Sequence, residues 1–221
     1  MHNKKTNMGL DITEMLKIVP AAVIGLTVHE FSHAFAAYKL GDNTAKNDGR
    51  LTLNPLKHID WLGFFLIVIA GFGWAKPVIF NPENLKNKHR DEIIISLAGP
   101  VSNFILAVLF LVIARLLYFA DYFHGTALGM QIVNMIMIWG VINFGLFIFN
   151  LIPIPPLDGS HFYLTYLKDI HPKLMMNLYR WGTFGLFAII IAENKFNLNI
   201  LHLSELINDI TKFFIQLLAF N

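Results

Sequence analysis

Residues 27–35 read TVHEFSHAF and sit at the inner end of an almost unbroken apolar run. His29 and His33 are four apart, so on a helix both rings project from one face, one turn above the other. Gly25 and Ala37 continue that stripe and leave room beside the rings. Glu30 lies about 100° round the helix, next to whatever the histidines hold. In the H-E-x-x-H arrangement two imidazoles bind zinc and the glutamate is the general base toward water. Bound zinc lowers the pKa of a water from about 15.7 to about 7, which makes hydroxide available at neutral pH. The plain alternative is an accidental pattern, with the histidines bonded to neighbouring helices. Within a membrane span that alternative loses ground, because ionisable groups there usually mark function. Two ligands do not make a hydrolytic site, so a third is required.

The candidate lies in FNLIPIPPLDGSHF, residues 149–162. Pro153, Pro155 and Pro156 cannot continue a helix, so the chain must unwind after Leu151. Irregular backbone at membrane depth is tolerated only where it is buried in protein or lines a wet cavity. Asp158 falls on this unwound strip and Gly159 permits a tight turn behind it. Taken alone, Asp-Gly at a helix exit reads equally well as a turn. Beside an intramembrane H-E-x-x-H, a carboxylate ligand is the stronger reading. Two histidines and one carboxylate leave a fourth zinc position open.

The elements that must position these residues follow from composition. The chain has 221 residues, 55% of them hydrophobic and 14% charged, with a net charge of +2. That is too apolar for an ordinary soluble domain and indicates a membrane protein. The charge gives no argument for a nucleic-acid partner. Cysteine is absent, which excludes disulfides, a thiol nucleophile and thiolate metal sites. The N-terminus lacks the apolar core and cleavage site of a signal peptide, so the first hydrophobic segment is expected to be retained. A bilayer core needs about 20 apolar residues per helix. Stretches 12–38, 93–119, 128–152 and 174–192 meet that length. Segment 61–80 is broken by Gly63, Gly71, Gly73 and Pro77, and its uninterrupted core is short. The tail 203–220 carries an apolar stripe with Glu205, Asp209 and Lys212 off it, which predicts an amphipathic helix on the membrane or on the bundle. RLTLN, residues 50–54, alternates and ends at Pro55, which reads as one strand of a small β-hairpin with an open edge for an unwound peptide, or as a solvated loop closure. The expectation is one α-helical integral membrane domain over 1–221, with its core at about 12–165. It has about four transmembrane helices, a re-entrant segment, a small β-hairpin and a C-terminal amphipathic helix.

Topology constrains the same site. His29 and His33 lie toward the end of the first span, and Asp158 lies just past the end of the third. One metal joins them only if those ends share a membrane side, which requires 61–80 to dip in and return. Ten Lys and Arg residues then lie on that side, from Lys39 to Arg90 plus Lys168 and Lys173. Lys4, Lys5, Lys17, Arg115 and Lys195 lie opposite. The positive-inside rule assigns the active-site end to the cytoplasm of a multi-pass cell-membrane protein.

Together, HEFSH (29–33), NLIPIPPLDG (150–159), AGPVSN (98–103) and GRLTLNPLKHID (49–60) resemble the site-2 protease family of intramembrane zinc metalloproteases, in its compact prokaryotic branch. The motifs occur in the family's order. The resemblance implies one zinc per chain held by His29, His33 and Asp158, with Glu30 as catalytic acid/base. It implies that Asn150 contacts substrate backbone, and that the substrates are transmembrane segments of other membrane proteins within the lipid bilayer. Neither a peptide-recognition insert nor a nucleotide-sensing module is visible.

Other polar residues have quieter readings. Ser96, Gly99, Asn103 and Ala107 form a small, polar helix face suited to close packing; Asn103 could equally support the metal-site helix. Asn143 reads as packing or water-lining, and His161 as a neighbour of the site rather than a ligand. Three functions compete. A metal transporter would bury His and Asp but has no need of Glu30 or the proline strip. A scaffold of the same fold would be expected to lack one of the four site residues. An intramembrane endopeptidase accounts for all of them.

Overall fold

The computed structural model describes residues 12–70, 73–196 and 198–218. Lys4, Lys5, Gly71 and the last two residues of the 203–220 stretch lie outside the described residues. The described helices are α1 (Ile12–Lys39), α2 (Thr44–Asn47), α3 (Trp61–Ala70), α4 (Lys88–Tyr118), α5 (Asp121–Gly125), α6 (Ala127–Leu151), α7 (His161–Ile170), α8 (Pro172–Phe196) and α9 (Leu203–Leu217). Four of them, α1, α4, α6 and α8, are long and apolar enough to cross a membrane.

Local chemistry sets the helix boundaries. Thr126 caps α6 by accepting from the Gly129 amide at 3.0 Å, and the proline cluster ends it at Leu151. Asn87 caps α4 through the Arg90 amide, while Asp91 in the first turn reaches back to the Asn87 amide at 3.0 Å. These bonds are reciprocal like those of a capping box, with the acid one position later. Asp60 accepts from the Leu62 and Gly63 amides and so starts α3.

The core is a three-helix bundle in which α4 packs on both α1 and α6. Pairings fix the directions. Along α1 from His29 to His33, the partners on α4 run backward from Asn103 to Ile95, so these helices are antiparallel. Asn103 meets Asn143 and Phe110 meets Trp139, so α6 is antiparallel to α4 and parallel to α1. The ends of α1 and α6 that carry the candidate ligands therefore lie at the same end of the bundle.

Segment 61–80 closes on itself. The Lys76 amide donates to the His58 carbonyl at 2.8 Å, and Ile59 pairs with Ala75 in an antiparallel bridge. A Cβ on Gly63 would stand 2.2 Å from the Trp74 carbonyl oxygen, and one on Gly73 2.0 Å from the Gly63 oxygen. Both positions need glycine so that the returning chain can lie against α3.

The expected hairpin at 50–54 does not form: no β-strand occurs among the described residues, and the Ile59–Ala75 bridge stands alone. Its polar groups are taken by local side-chain bonds instead. His58 Nε2 holds the Thr52 carbonyl at 2.7 Å, and the Asn54 side chain caps the 3₁₀ turn Pro55–Lys57. Side-chain bonds of this kind compete with ladder formation. The amphipathic tail helix α9 lies on the bundle, with Ile210 and Phe214 packed against Ala107, Leu111 and Phe144.

Candidate metal centre

α1 presents His29 and His33, both buried, and the turn after α6 brings Asp158 to them. Asp158 opens a 3₁₀ turn, Asp158–Ser160, whose Gly159 lies against the end of α6: a Cβ there would stand 2.2 Å from the Leu151 oxygen. His29 Nε2 lies 3.0 Å from His33 Nε2 and 3.1 Å from Asp158 Oδ2, and His33 Nε2 lies 3.5 Å from that oxygen. Ligands about 2.0–2.1 Å from one ion at tetrahedral angles stand roughly 3.3–3.4 Å apart. The observed separations straddle that value.

The hydrogen-bond network assigns the protons. His29 Nδ1 is 2.7 Å from Asn103 Oδ1 and His33 Nδ1 is 2.7 Å from the Ile95 carbonyl. The Asn103 amide nitrogen donates to the Gly25 carbonyl and to Asn143 Oδ1, which fixes its oxygen toward His29. In its neutral form each ring carries its proton on Nδ1, which turns both Nε2 lone pairs toward each other and the carboxylate. Asp158 Oδ2 is buried with no donor. Three possible ligand atoms converge here, all within 4.8 Å of one another, an arrangement that suits a cation. The donor set of two imidazoles and one carboxylate suits zinc. Oriented imidazoles with their far nitrogens held by acceptors are the usual outer shell of such a site.

α4 closes the site from the other side. A Cβ on Gly99 would lie 2.4 Å from His33 Nε2 and 2.6 Å from His29 Nε2. Only a glycine leaves that space to an ion. Pro100 follows it and, lacking an N–H, leaves the Ser96 carbonyl without its helical donor.

Glu30 and the three candidate ligands line a cavity of about 510 Å³. Glu30 Oε2 accepts from the Val78 amide at 2.8 Å. The cavity is walled by the extended strip 73–80, by Leu146 and Asn150 of α6, and by Leu186 and Phe187 of α8. Asn150 lies in that wall, with its amide on the Leu146 carbonyl at 2.9 Å. Asn103 and Asn143 are fully buried behind the ligands rather than in the cavity. His161 also lines the cavity, and burial pushes its imidazole below the ordinary histidine value.

Four participants escaped the sequence. Val78 acts through its backbone amide, which no residue type announces. Trp74 and Phe187 form a wall through an edge-on ring contact at 6.2 Å and look like membrane filler. Glu92 is buried with Thr165 and Lys168 on it, joining α4 to α7 behind the site; an acidic pair, Asp91–Glu92, at the start of a span was the available signal.

The family model described as Peptidase family M50 matches residues 116–191, which include Asp158 but not the HEFSH stretch. YwhC of Bacillus subtilis is 44% identical over 144 residues, covering 64% of this chain and 65% of that protein. Rip2 of Mycolicibacterium smegmatis is 30% identical over 180 residues, covering 79% of this chain and 66% of that protein. Rip2 of Mycobacterium tuberculosis is also 30% identical, over 185 residues. All three carry provisional names as zinc metalloproteases. The chain spans just under two thirds of the length of these curated relatives. No solved structure matches it. With the family model on its C-terminal half and these relatives along most of its length, the chain belongs to peptidase family M50, the site-2 protease family.

Proposed function

We propose that this chain is an intramembrane zinc endopeptidase that hydrolyses peptide bonds within or near transmembrane segments of other membrane proteins. The observation that carries the reading is the convergence of two imidazole Nε2 atoms and a carboxylate oxygen on one wall of a cavity that Glu30 also lines. His29, His33 and Asp158 would hold one zinc, which when bound polarises the scissile carbonyl and acidifies water. Glu30 takes the proton of the attacking water and delivers it to the leaving amine as the carbon–nitrogen bond breaks. Asn103 and the Ile95 carbonyl keep both imidazoles in the ligating tautomer.

A peptide bond inside a helix is shielded, so a substrate span must unwind before it can react. Strip 73–80 offers a place for the unwound chain. Lys76 and Val78 turn their amides toward His58 and Glu30. In an extended chain the neighbouring Ala75 amide and carbonyl and the Pro77 carbonyl face the other way, where a substrate strand would pair. This moves the expected strand addition from 50–54 to the strip that lines the cavity. Asn150, across the cavity, would hold substrate backbone.

With 61–80 returning on itself, residues 39–92 lie on one side of the membrane, and their positive charge favours the cytoplasm. Cysteines at Asn47 and Asn87 should both resist an impermeant thiol reagent outside intact cells, and one at Asp121 should react. Labelling of 47 and 87 from opposite sides would refute the re-entrant segment. The function is tested with the purified chain and a membrane-spanning peptide: cleavage should stop with a chelator and return with zinc. Metal movement across vesicles without cleavage would instead make the protein a transporter.

A further inference from the structure

The stretch 49–60 contains a buried cation that the reaction above does not use. Arg50 is 7% exposed and His58 1% exposed, and neither lines the cavity or reaches the metal ligands. A buried guanidinium is costly unless its donors are occupied. One terminal nitrogen of Arg50 donates to the Lys76 carbonyl and lies 3.4 Å from His58 Nδ1. His58 Nε2 donates to the Thr52 carbonyl at 2.7 Å, so Nδ1 is an acceptor and the ring is held in one neutral tautomer. The main chain joins the same two segments, through the Lys76 amide on the His58 carbonyl and the Ile59–Ala75 bridge.

Residues 76 and 78 of an extended chain point their amides to the same side. The register that sets Lys76 on Arg50 and His58 therefore sets the Val78 amide on Glu30 Oε2, at 2.8 Å. Glu30 Oε1 takes no hydrogen bond among the described residues. Glu30 also acts electrostatically on both Arg50 and His58, opposing the lowering that burial imposes on each. A glutamate side chain has three rotatable bonds, and a base that swings loses rate steeply: about 1 Å of misplacement can cost roughly 10²-fold.

We propose that Arg50 and His58 are positioning residues of the proteolytic centre: they clasp strip 74–78 in the register that pins Glu30 Oε2 on the Val78 amide and leaves Oε1 to handle the proton. The inference rests on the protease reading given above.

The test compares wild type, Arg50→Ala and Arg50→Lys as purified full chains. Three quantities are read: zinc content, kcat and KM on a membrane-spanning peptide, and amide hydrogen exchange along the chain. Arg50→Ala should keep its zinc, and exchange should quicken over 74–80 but not in α4 or α6. Its kcat should fall about 10–100-fold, with KM changed far less. Arg50→Lys should recover part of the rate, because an ammonium can donate to the Lys76 carbonyl but lacks the planar guanidinium that is packed between the two segments. Adding Arg50→Ala to Glu30→Gln should lower the residual rate no further, since the oxygen it positions no longer takes a proton. Loosened 74–80 amides with wild-type kcat, or a change confined to KM, would overturn the proposal. Should the alanine variant lose zinc and open α4, the same two outcomes in Arg50→Lys would overturn it. Failure of the protease reading shows separately, as a Glu30→Gln variant that cleaves like wild type.

Discussion

α4 and α8 are both long apolar helices, of 31 and 25 residues, yet they do different work. A third of the apolar window of α4 is buried inside the protein, against 6% of that of α8. α4 lies between α1 and α6, turns Gly99 and Asn103 onto the histidines, and carries the cluster of Ala107 and Leu111 beneath them. α8 touches the centre only as a wall, through Tyr179, Leu186, Phe187 and Ile190. It is seated where Gly182 meets Pro155, with a Cβ there standing 2.8 Å from the proline ring. The span that builds the site turns small and polar residues onto the histidines, and the span that encloses it turns bulky ones into the cavity. Length and hydropathy do not separate them.

That contrast predicts that changes in the α1–α4–α6 core strike metal or chemistry, while changes in α8 touch only substrate binding. The largest effect is expected from Asp158→Ala, which leaves two protein ligands: zinc content by metal analysis and turnover should both collapse. Full zinc with unchanged turnover would return Asp158 to a turn residue. Glu30→Gln keeps the size and removes the base. Cleavage should drop about 10²–10⁴-fold while zinc and membrane insertion stay normal, so chemistry separates from metal within one helical turn.

Substitutions on α4 come next. Gly99→Ala puts a methyl group where the two Nε2 atoms and the ion need space. Overpacking of this kind costs about 1–3 kcal/mol, to be seen as a lower unfolding midpoint together with weaker zinc retention against a chelator. Asn103→Ala removes the acceptor that fixes the His29 tautomer, and loss of such a partner weakens metal affinity about 10–100-fold. The smallest effect belongs to α8: Phe187→Ala should raise KM modestly with kcat and zinc content unchanged. A loss of zinc in that variant would break the contrast between the two helices.

The sequence could be read where interactions are local or repetitive. His29 and His33 share a face because four residues make one helical turn, and the prolines after Leu151 forbid a helix wherever they occur. The apolar stripe of α9 was legible for the same reason, although its seat on Phe144 was not. RLTLN alternates like a strand and misled, because His58, a few residues on, binds the Thr52 carbonyl and Asn54 itself starts a 3₁₀ turn. Asn103 left two readings open: a buried asparagine looks the same whether it packs or orients a ligand.

By itself, the sequence determined that this protein lives in a bilayer, that its spans are helical, and that one of them carries two histidines one turn apart with a glutamate beside them. Composition, a 3.6-residue period and proline chemistry are properties of the chain alone. Only the tertiary structure decided that Asp158 meets those histidines from about 130 residues away, that Gly99 keeps space open beside their Nε2 atoms, and that the Val78 amide holds Glu30. Each of these depends on which helices become neighbours and in what direction they run. Those choices follow from the summed packing of side chains over the whole bundle, so no single stretch records them.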